Sequence, residues 1–142
     1  MPVVSDILRG RELYSVESSQ SVAEVAEWMA ELNVGAICVV DHGELCGVFS
    51  ERDLLKRVVA PGLDPAKVRA GVVMTRDPVT VAAAASLDDA MDLMRKHNVR
   101  HLPVMADGYL SGFLSMRDLV HFDLERKTHE VDQMRAYIHG GA

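Results

Sequence analysis

A seven-residue signature occurs twice in this chain, and its two copies constrain the fold more strongly than any other feature of the sequence. The pattern Gly-x-x-Ser-x-Arg-Asp spans residues 47–53 and returns at 112–118, an offset of 65 residues. Such self-similarity identifies an internal duplication, whose join falls in the Pro- and Gly-containing stretch 61–65. The same offset aligns many further identities without a gap, including Val16 with Val81, Ser21 with Ser86, Met29 with Met94, Asn33 with Asn98 and Val39 with Val104.

The first half of each copy predicts a short strand followed by a helix. The β-prone runs are 13–16 and 79–81. Apolar residues at spacings of three and four then predict a helix in both copies, and we interpret its apolar stripe, which includes Trp28, as core. Each helix is preceded by a serine with an acidic residue three positions later, the pattern of a capping box: Ser21 with Glu24, and Ser86 with Asp89.

The second half of each copy predicts a hairpin and a second helix. Turn signals at His42-Gly43 and Asp107-Gly108 separate two short apolar runs in each copy. The order in each copy is therefore β-α-β-β-α. A single unit has at most three strands and leaves one face of its sheet uncovered, whereas two units packed sheet to sheet cover both. The predicted fold class is α+β, with tandem repeats, sheets packed together and helices outside.

The chain continues beyond the second copy into a predicted helix over residues 119–138. Within it Leu124, Val131 and Ile138 recur every seven residues, a narrow seam that packs on its own domain or on a partner helix. The predicted units are repeat 1 over 1–62, repeat 2 over 63–123 and a helical tail over 124–142, with the two repeats forming one module.

Composition excludes several classes of protein. With 142 residues, of which 49% are hydrophobic, the chain is long enough to bury a sizeable core and too apolar for a disordered segment. A net charge of −6 disfavours non-specific binding to nucleic acid or to an anionic membrane. No apolar run is long enough to span a bilayer, no signal peptide is evident, and Cys38 and Cys46 form no ligand pair. We therefore expect a cytoplasmic protein.

The signature itself carries candidate ligand chemistry. Ser50 and Ser115 stand where a helix N-cap is expected, and Asp53 and Asp118 follow three residues later in the first helical turn. An ionised carboxylate accepts hydrogen bonds only, so it suits a vicinal diol such as that of a ribose. The alternative is that serine and aspartate form a capping pair without a ligand. Retention of both residues in two copies favours the ligand interpretation.

Basic residues supply the second element of a nucleotide site. Arg52 and Arg117 belong to the signatures, and the second copy adds Arg100 and His101 just before a predicted strand. The first copy has Gly35 and Ala36 at the corresponding positions, so it lacks this basic pair. We expect two clefts of unequal quality, the second being better equipped for a phosphate. For His101 alone, an ordinary structural histidine is an equal alternative.

These features together resemble the CBS (cystathionine-β-synthase) domain pair, also called a Bateman module. The resemblance covers most of the chain and is carried by the paired signatures, by Val99-Arg100-His101-Leu102-Pro103-Val104 and by Val73-Met74-Thr75. It implies two repeats related by pseudo-two-fold symmetry, with two clefts that bind adenosyl ligands such as AMP, ADP, ATP, NAD or S-adenosylmethionine. A flat homodimer is common among such modules, and we expect one here.

The resemblance also implies roles for individual residues. The two aspartates would hold ribose hydroxyls, the two serines would contact ribose or phosphate, and Arg100 with His101 would approach phosphate. The remaining ligand-binding positions that we assign from the family's pattern lie at the predicted first strands and around the second hairpins: Ser15, Val16, Thr80, Val81, Gly35, Ala36, Val99, Pro103, Arg52 and Arg117.

The expected function is a non-catalytic regulatory module that binds an adenine nucleotide and signals energy or redox state to a partner protein. The sequence contains no HExxH motif, no P-loop and no Gly-x-Ser-x-Gly, so we do not expect an enzyme, a metal site or a required cofactor. Two alternatives stay open: a ligand-free dimerisation module and a sensor of S-adenosylmethionine-type ligands. The tail 134–141 resembles that of plant organellar members proposed to regulate thioredoxins, which makes a thioredoxin-like partner a further expectation.

Overall fold

The structure is a computed structural model that describes residues 2–140. The first repeat has the predicted order of elements, with its second helix continuing as a π-helical turn. A short helix stands ahead of it. These elements are α1 (Val4–Ile7), β1 (Ser15–Glu17), α2 (Val22–Leu32), β2 (Ala36–Asp41), β3 (Glu44–Ser50) and α3 (Glu51–Asp53), which runs into the π-helical stretch Leu54–Val59.

The second repeat has the same order, and its last helix is much longer. Its elements are α4 (Ala70–Val73), β4 (Thr75–Arg76), β5 (Val81–Ala82), α5 (Leu87–His97), β6 (His101–Ala106), β7 (Tyr109–Ser115) and α6 (Met116–Gly140). The predicted α+β architecture with a C-terminal helix is thereby confirmed. No helix in the described part of the chain is long and apolar enough to cross a membrane.

Each repeat contributes one small sheet. In the first sheet the order is β1-β2-β3-β4, and in the second it is β5-β6-β7. The first two strands of each sheet are parallel and the hairpin strands are antiparallel. Strands β3 and β7 contact one another, so the two sheets meet through their hairpins. The fourth strand of the first sheet is a departure from the three strands expected per repeat.

Matching end signals delimit helices α2 and α5. The hydroxyls of Ser21 and Ser86 accept hydrogen bonds from the backbone amides three residues later, at 3.2 and 3.0 Å. Both helices end at an asparagine in the left-handed conformation, Asn33 and Asn98. Met29 and Met94 are buried as expected, but Trp28 is 40% exposed and packs edge-to-face on Tyr14, so it lies outside the core.

The segments that lead into the two repeats cross over. Val4 and Ile7 of α1 are buried in the core of the second repeat, and Val4 N donates to Ala85 O at 2.9 Å. Ala70 and Val73 of α4 are buried in the core of the first repeat. Each core is therefore completed by a segment that lies far from it in sequence, and β4 extends the first sheet for the same reason.

Helix α6 leaves the body of the molecule with its seam uncovered. Leu119, in its first turn, is buried in the second core. Further along, the heptad residues Leu124, Val131 and Ile138 are all exposed, as is Met134 beside them. The periodic stripe detected in the sequence thus faces solvent in this chain and is available for another surface.

Candidate functional site

A cavity of about 940 Å³ lies between the two repeats, on the side of the second signature. Its walls come from the irregular segment 11–14, from the start of β2, from β6 and β7, and from the first turns of α6. This volume is within the range of small-molecule sites in proteins. Because residues from both repeats line it, a bound molecule would contact the two halves of the chain at once.

Asp118 is held at the wall of this cavity by the N-terminus of α6. The backbone amide of Ser115 donates to Asp118 Oδ2 at 2.9 Å, and Ser115 Oγ accepts from the Asp118 amide at 3.0 Å. These reciprocal bonds form a capping box. The guanidinium of Arg11 donates to the other carboxylate oxygen, Oδ1. The Asp118 side chain is 17% exposed, so the carboxylate is still accessible from the cavity.

The environment of Asp118 favours its charged form. Burial raises the pKa of this carboxyl, but hydrogen bonds from Arg11 and Ser115 and the charge of Arg11 outweigh burial and hold the pKa below its usual value. Asp118 is therefore an ionised, acceptor-only group at neutral pH, which is the state required to receive two hydroxyl donors.

Positive groups surround this carboxylate. Arg11, Arg100 and Arg117 line the cavity together with two carboxylates, those of Glu12 and Asp118, which leaves one net positive charge in a chain whose overall charge is −6. A local excess of positive charge attracts anions despite the opposite sign of the whole protein. The structure thus places an ionised carboxylate and a set of cations around one space.

His101 forms part of the same wall. Its ring stacks on Phe113 with a centroid separation of 5.2 Å. Burial lowers the pKa of His101, and Arg100 lowers it further, whereas the negative charges of Asp118 and Glu51 act in the opposite direction. The net shift is downward, so His101 is a neutral hydrogen-bonding group at neutral pH.

Asp53, the counterpart of Asp118, has different surroundings. It is only 7% exposed, and its carboxylate accepts from Ser50 N at 3.0 Å and from Thr75 Oγ1 at 3.1 Å. Arg57 Nε lies 3.6 Å from Asp53 Oδ1, and Arg57 Nη1 also donates to the Met74 carbonyl at 2.7 Å. The carboxylate is used to bind the crossing segment that completes the first core.

The signature glycines make room for the two leading segments where each crosses to the opposite repeat. A Cβ atom at Gly47 would lie 2.7 Å from the Thr75 carbonyl oxygen and 2.5 Å from Met74 Sδ. At Gly112 the nearest atom would be Leu8 Cδ1, at 2.6 Å. Each glycine therefore allows close approach of the leading segment of the opposite repeat, and backbone is the obstacle only at Gly47.

Seven of the predicted site residues come together at the cavity: Gly35, Ala36, Arg100, His101, Ser115, Arg117 and Asp118. The other nine do not line it. Val16, Val81 and Pro103 are buried, Val99 packs against the second core, and Ser50 caps α3. Ser15, Thr80 and Arg52 are exposed, and Asp53 is buried as described above.

The sequence does not mark the segment 11–14 as part of a site. Arg11 and Glu12, which precede the first predicted strand, line the cavity together with Tyr14, which lies within it. The two leading segments share an apolar pattern that places Val4 and Ala70 in equivalent positions at an offset of 66 residues, but this pattern gives no indication of residues 11–14. Within residues 2–140 no three metal-ligating side chains gather into a cluster.

The sequence matches the family model of the CBS domain twice, over residues 4–60 and 68–125. It is 35% identical over 108 residues to the CBS domain-containing protein YhcV of Bacillus subtilis, covering 76% of each chain. It is also 32% identical over 129 residues to the mitochondrial CBS domain-containing protein CBSX3 of Arabidopsis thaliana. That match covers 87% of this chain but 63% of the relative, so the chain spans less than two thirds of that protein.

Solved structures give the same result. A protein with CBS domains from Burkholderia ambifaria matches with a TM-score of 0.79 at 35% identity, covering 84% of this chain and 91% of the other. A CBS domain protein from Pyrobaculum aerophilum, solved in complex with AMP, matches with a TM-score of 0.76 at 33% identity, covering 82% and 89%.

A third solved structure differs in its ligands. It is a CBS domain pair in complex with 5′-methylthioadenosine and S-adenosyl-L-methionine, and it matches with a TM-score of 0.75 at 25% identity, covering 85% of this chain and 98% of the other. With two matches to the family model and these neighbours, the chain belongs to the CBS domain family, as a tandem pair of CBS domains.

Proposed function

We propose that this protein is a non-catalytic regulatory module that binds an adenine nucleotide of the AMP, ADP, ATP or NAD class in the Asp118 cavity. The observation that carries the proposal is the juxtaposition, in one cavity, of an ionised carboxylate and three arginines. A ribose diol donates to the former and a phosphate accepts from the latter. The AMP complex of the Pyrobaculum aerophilum neighbour supports this class of ligand.

Each part of the nucleotide has a proposed partner. Asp118 accepts the ribose hydroxyls, and Ser115, whose Oγ already faces the same helix turn, contacts ribose or phosphate. Arg100 and Arg117 neutralise phosphate, and His101 adds a hydrogen bond. Gly35 and Ala36 form the opposite wall from the first repeat and leave room for the purine. The first cleft, at Asp53, is the poorer site because its carboxylate is already bound to Thr75 and Ser50.

A sensor of S-adenosylmethionine-type ligands is the closest competing function, since one structural neighbour holds such ligands. The charge of the cavity favours the nucleotide. S-adenosylmethionine carries a net positive charge at neutral pH, which three neighbouring arginines repel, whereas a phosphate is attracted by the same groups. 5′-Methylthioadenosine lacks any anionic group to pair with them.

Signalling would follow from the position of the cavity between the repeats. A ligand that binds one arrangement of the two halves better than another shifts the equilibrium by the difference in its binding free energies, and no further. The partner that reads this shift would contact the module elsewhere. A thioredoxin-like partner is one candidate, suggested only by the sequence of the tail.

The exposed seam of α6 favours a second, compatible role as a homodimer interface. To test this interface, Val131 at the centre of the seam is replaced by glutamate. His129→Glu, on the opposite side of the helix, is the matched control. We expect Val131→Glu alone to lower the molar mass measured by light scattering from that of a dimer to that of a monomer. Equal masses for both variants and the unmodified chain would contradict the role of α6.

Thermal shift measurements test the proposed ligand class. AMP, ADP, ATP, NAD, S-adenosylmethionine and adenosine are compared at equal concentration, because a ligand that binds only the folded chain raises its melting temperature. We expect the largest shifts with the phosphorylated ligands. A shift with S-adenosylmethionine alone would favour the competing sensor, and no shift with any ligand would favour a pure interaction module. A phosphate-release assay on the same samples is expected to show no turnover.

A further inference from the structure

Arg11 occupies a position that links both repeats to the cavity. Leu8, three residues before it, packs against the second core, and Val16, five residues after it, is buried in the first. The Arg11 amide donates to the Leu8 carbonyl at 3.1 Å, which fixes its backbone beside the cavity. Its side chain, by contrast, is 48% exposed and can reorient. The Arg11 guanidinium can therefore move, while the backbone that carries it is held in place.

The bond that Arg11 makes is the one that a ribose would need. Asp118 Oδ2 already accepts from the Ser115 amide, and Oδ1 accepts from Arg11 Nη1. A vicinal diol donates to both carboxylate oxygens, so it competes with Arg11 for Oδ1. Replacing an ion-paired hydrogen bond by a hydrogen bond from a neutral hydroxyl is unfavourable unless the displaced guanidinium gains another anion.

A phosphate on the same ligand supplies that anion. We infer that Arg11 is a specificity-determining residue: it exchanges Asp118 for the ligand phosphate when the ribose binds, and the site therefore selects phosphorylated over unphosphorylated adenosyl ligands. This inference rests on the proposed function and extends it to a residue in the segment before β1. Arg100 and Arg117 attract phosphate as well, but the structure gives neither of them a bond to the ribose acceptor, so only Arg11 couples the two ends of the ligand.

Calorimetric titration of AMP and of adenosine into the unmodified chain and into Arg11→Gln tests this coupling. Arg11→Gln removes the charge and keeps most of the length of the side chain. We expect AMP affinity to change little, since the phosphate loses a charge-assisted hydrogen bond while the ribose no longer has to displace the guanidinium from Asp118. Adenosine affinity should rise about tenfold, since adenosine gains the second effect without the first. The ratio of the two affinities therefore falls about tenfold.

Arg9→Gln is the matched control. Arg9 lies two residues away, is 83% exposed and pairs with Asp6 outside the cavity, so its replacement should leave both affinities unchanged. If Arg11→Gln lowers both affinities equally, or changes neither, Arg11 does not set specificity and the inference is overturned while the nucleotide site stands. If the unmodified chain binds neither ligand, the proposed function and the inference both fail. Arg11→Ala serves as a second variant with the same expected ratio if Arg11→Gln does not fold.

Discussion

Asp53 and Asp118 occupy the same position of the same signature, yet they have different tasks in the folded protein. Both accept the backbone amide of the serine three residues before them and both begin a helix. Asp53 is otherwise committed to Thr75 and Arg57 in a nearly closed environment. Asp118 faces a large cavity. Apart from the Ser115 amide, its carboxylate accepts a hydrogen bond, in the part of the chain that the structure describes, only from Arg11, whose half-exposed side chain can reorient.

The two aspartates separate the two roles proposed for the signature, helix capping and ligand binding. Capping needs only the serine, the aspartate and their backbone amides, and both copies retain it. Ligand binding also needs access, which the first copy lacks because the crossing segment around Thr75 covers its carboxylate. Duplication has thus preserved the helix start in both copies and left one carboxylate available for a ligand.

The largest expected effect is on stability and concerns Asp53. Asp53→Ala removes a carboxylate that Ser50, Thr75 and Arg57 contact, and we expect a loss of about 2–3 kcal/mol in the free energy of unfolding. Asp118→Ala should cost about 1 kcal/mol or less, because its partner Arg11 is half exposed and regains water. Urea denaturation of both variants measures the difference. Equal losses would remove the distinction between a structural and an accessible aspartate.

A smaller difference is expected between the two signature glycines. Gly47→Ala drives a methyl group against the Thr75 backbone, so we expect a loss of about 1–3 kcal/mol. Gly112→Ala meets only the end of the Leu8 side chain, which can change rotamer, and should cost less than about 1 kcal/mol. Thermal unfolding monitored by circular dichroism compares them. A larger cost at Gly112 would show that the two crossings are not packed as described.

Much of the fold could be predicted from local signals, and the structure confirms it. The capping serines and the two hairpin turns are read from neighbouring residues, and His42 and Asp107 both have the positive φ that such turns require. The long C-terminal helix follows from its composition and period. These features depend on interactions within a few residues, which a sequence displays directly.

The crossing of the leading segments could not be predicted in the same way. It brings Val4 to the second core and Thr75 to Asp53, contacts that depend on how two whole repeats pack. The segment 11–14 and its Arg11 were missed for this reason. Conversely, the sequence shows that the second copy has Arg100 and His101 where the first copy has Gly35 and Ala36. This difference predicts the cleft in which the cavity lies.

The smallest expected effect is the pH dependence that His101 confers. Burial keeps the pKa of His101 below its usual value, and a phosphate beside it would stabilise the protonated ring, so nucleotide binding takes up a proton. We expect AMP affinity to rise a few-fold as pH falls from about 7.5 to about 6.5, and His101→Gln to remove that rise. A profile unchanged by the substitution would place phosphate away from His101.

The protein without nucleotide should respond to pH with the opposite sign. His101 protonates at a higher pH in the unfolded chain than in the folded one, so this residue withdraws stability as pH falls through about 6.5. Asp118 acts in the same direction at lower pH. Its depressed pKa contributes stability above the ordinary carboxyl pKa, and that contribution is lost as pH falls through the folded value.

We propose that only the second aspartate serves as the ribose acceptor of a nucleotide. Calorimetric titration of AMP into Asp118→Asn and Asp53→Asn distinguishes the two aspartates, because asparagine keeps a capping oxygen at both positions while removing the charge. We predict that Asp118→Asn weakens AMP binding about tenfold or more and that Asp53→Asn changes it less than about twofold. Unchanged affinity in folded Asp118→Asn, or an equal loss in both variants, would show that Asp118 is not the distinguishing ribose acceptor.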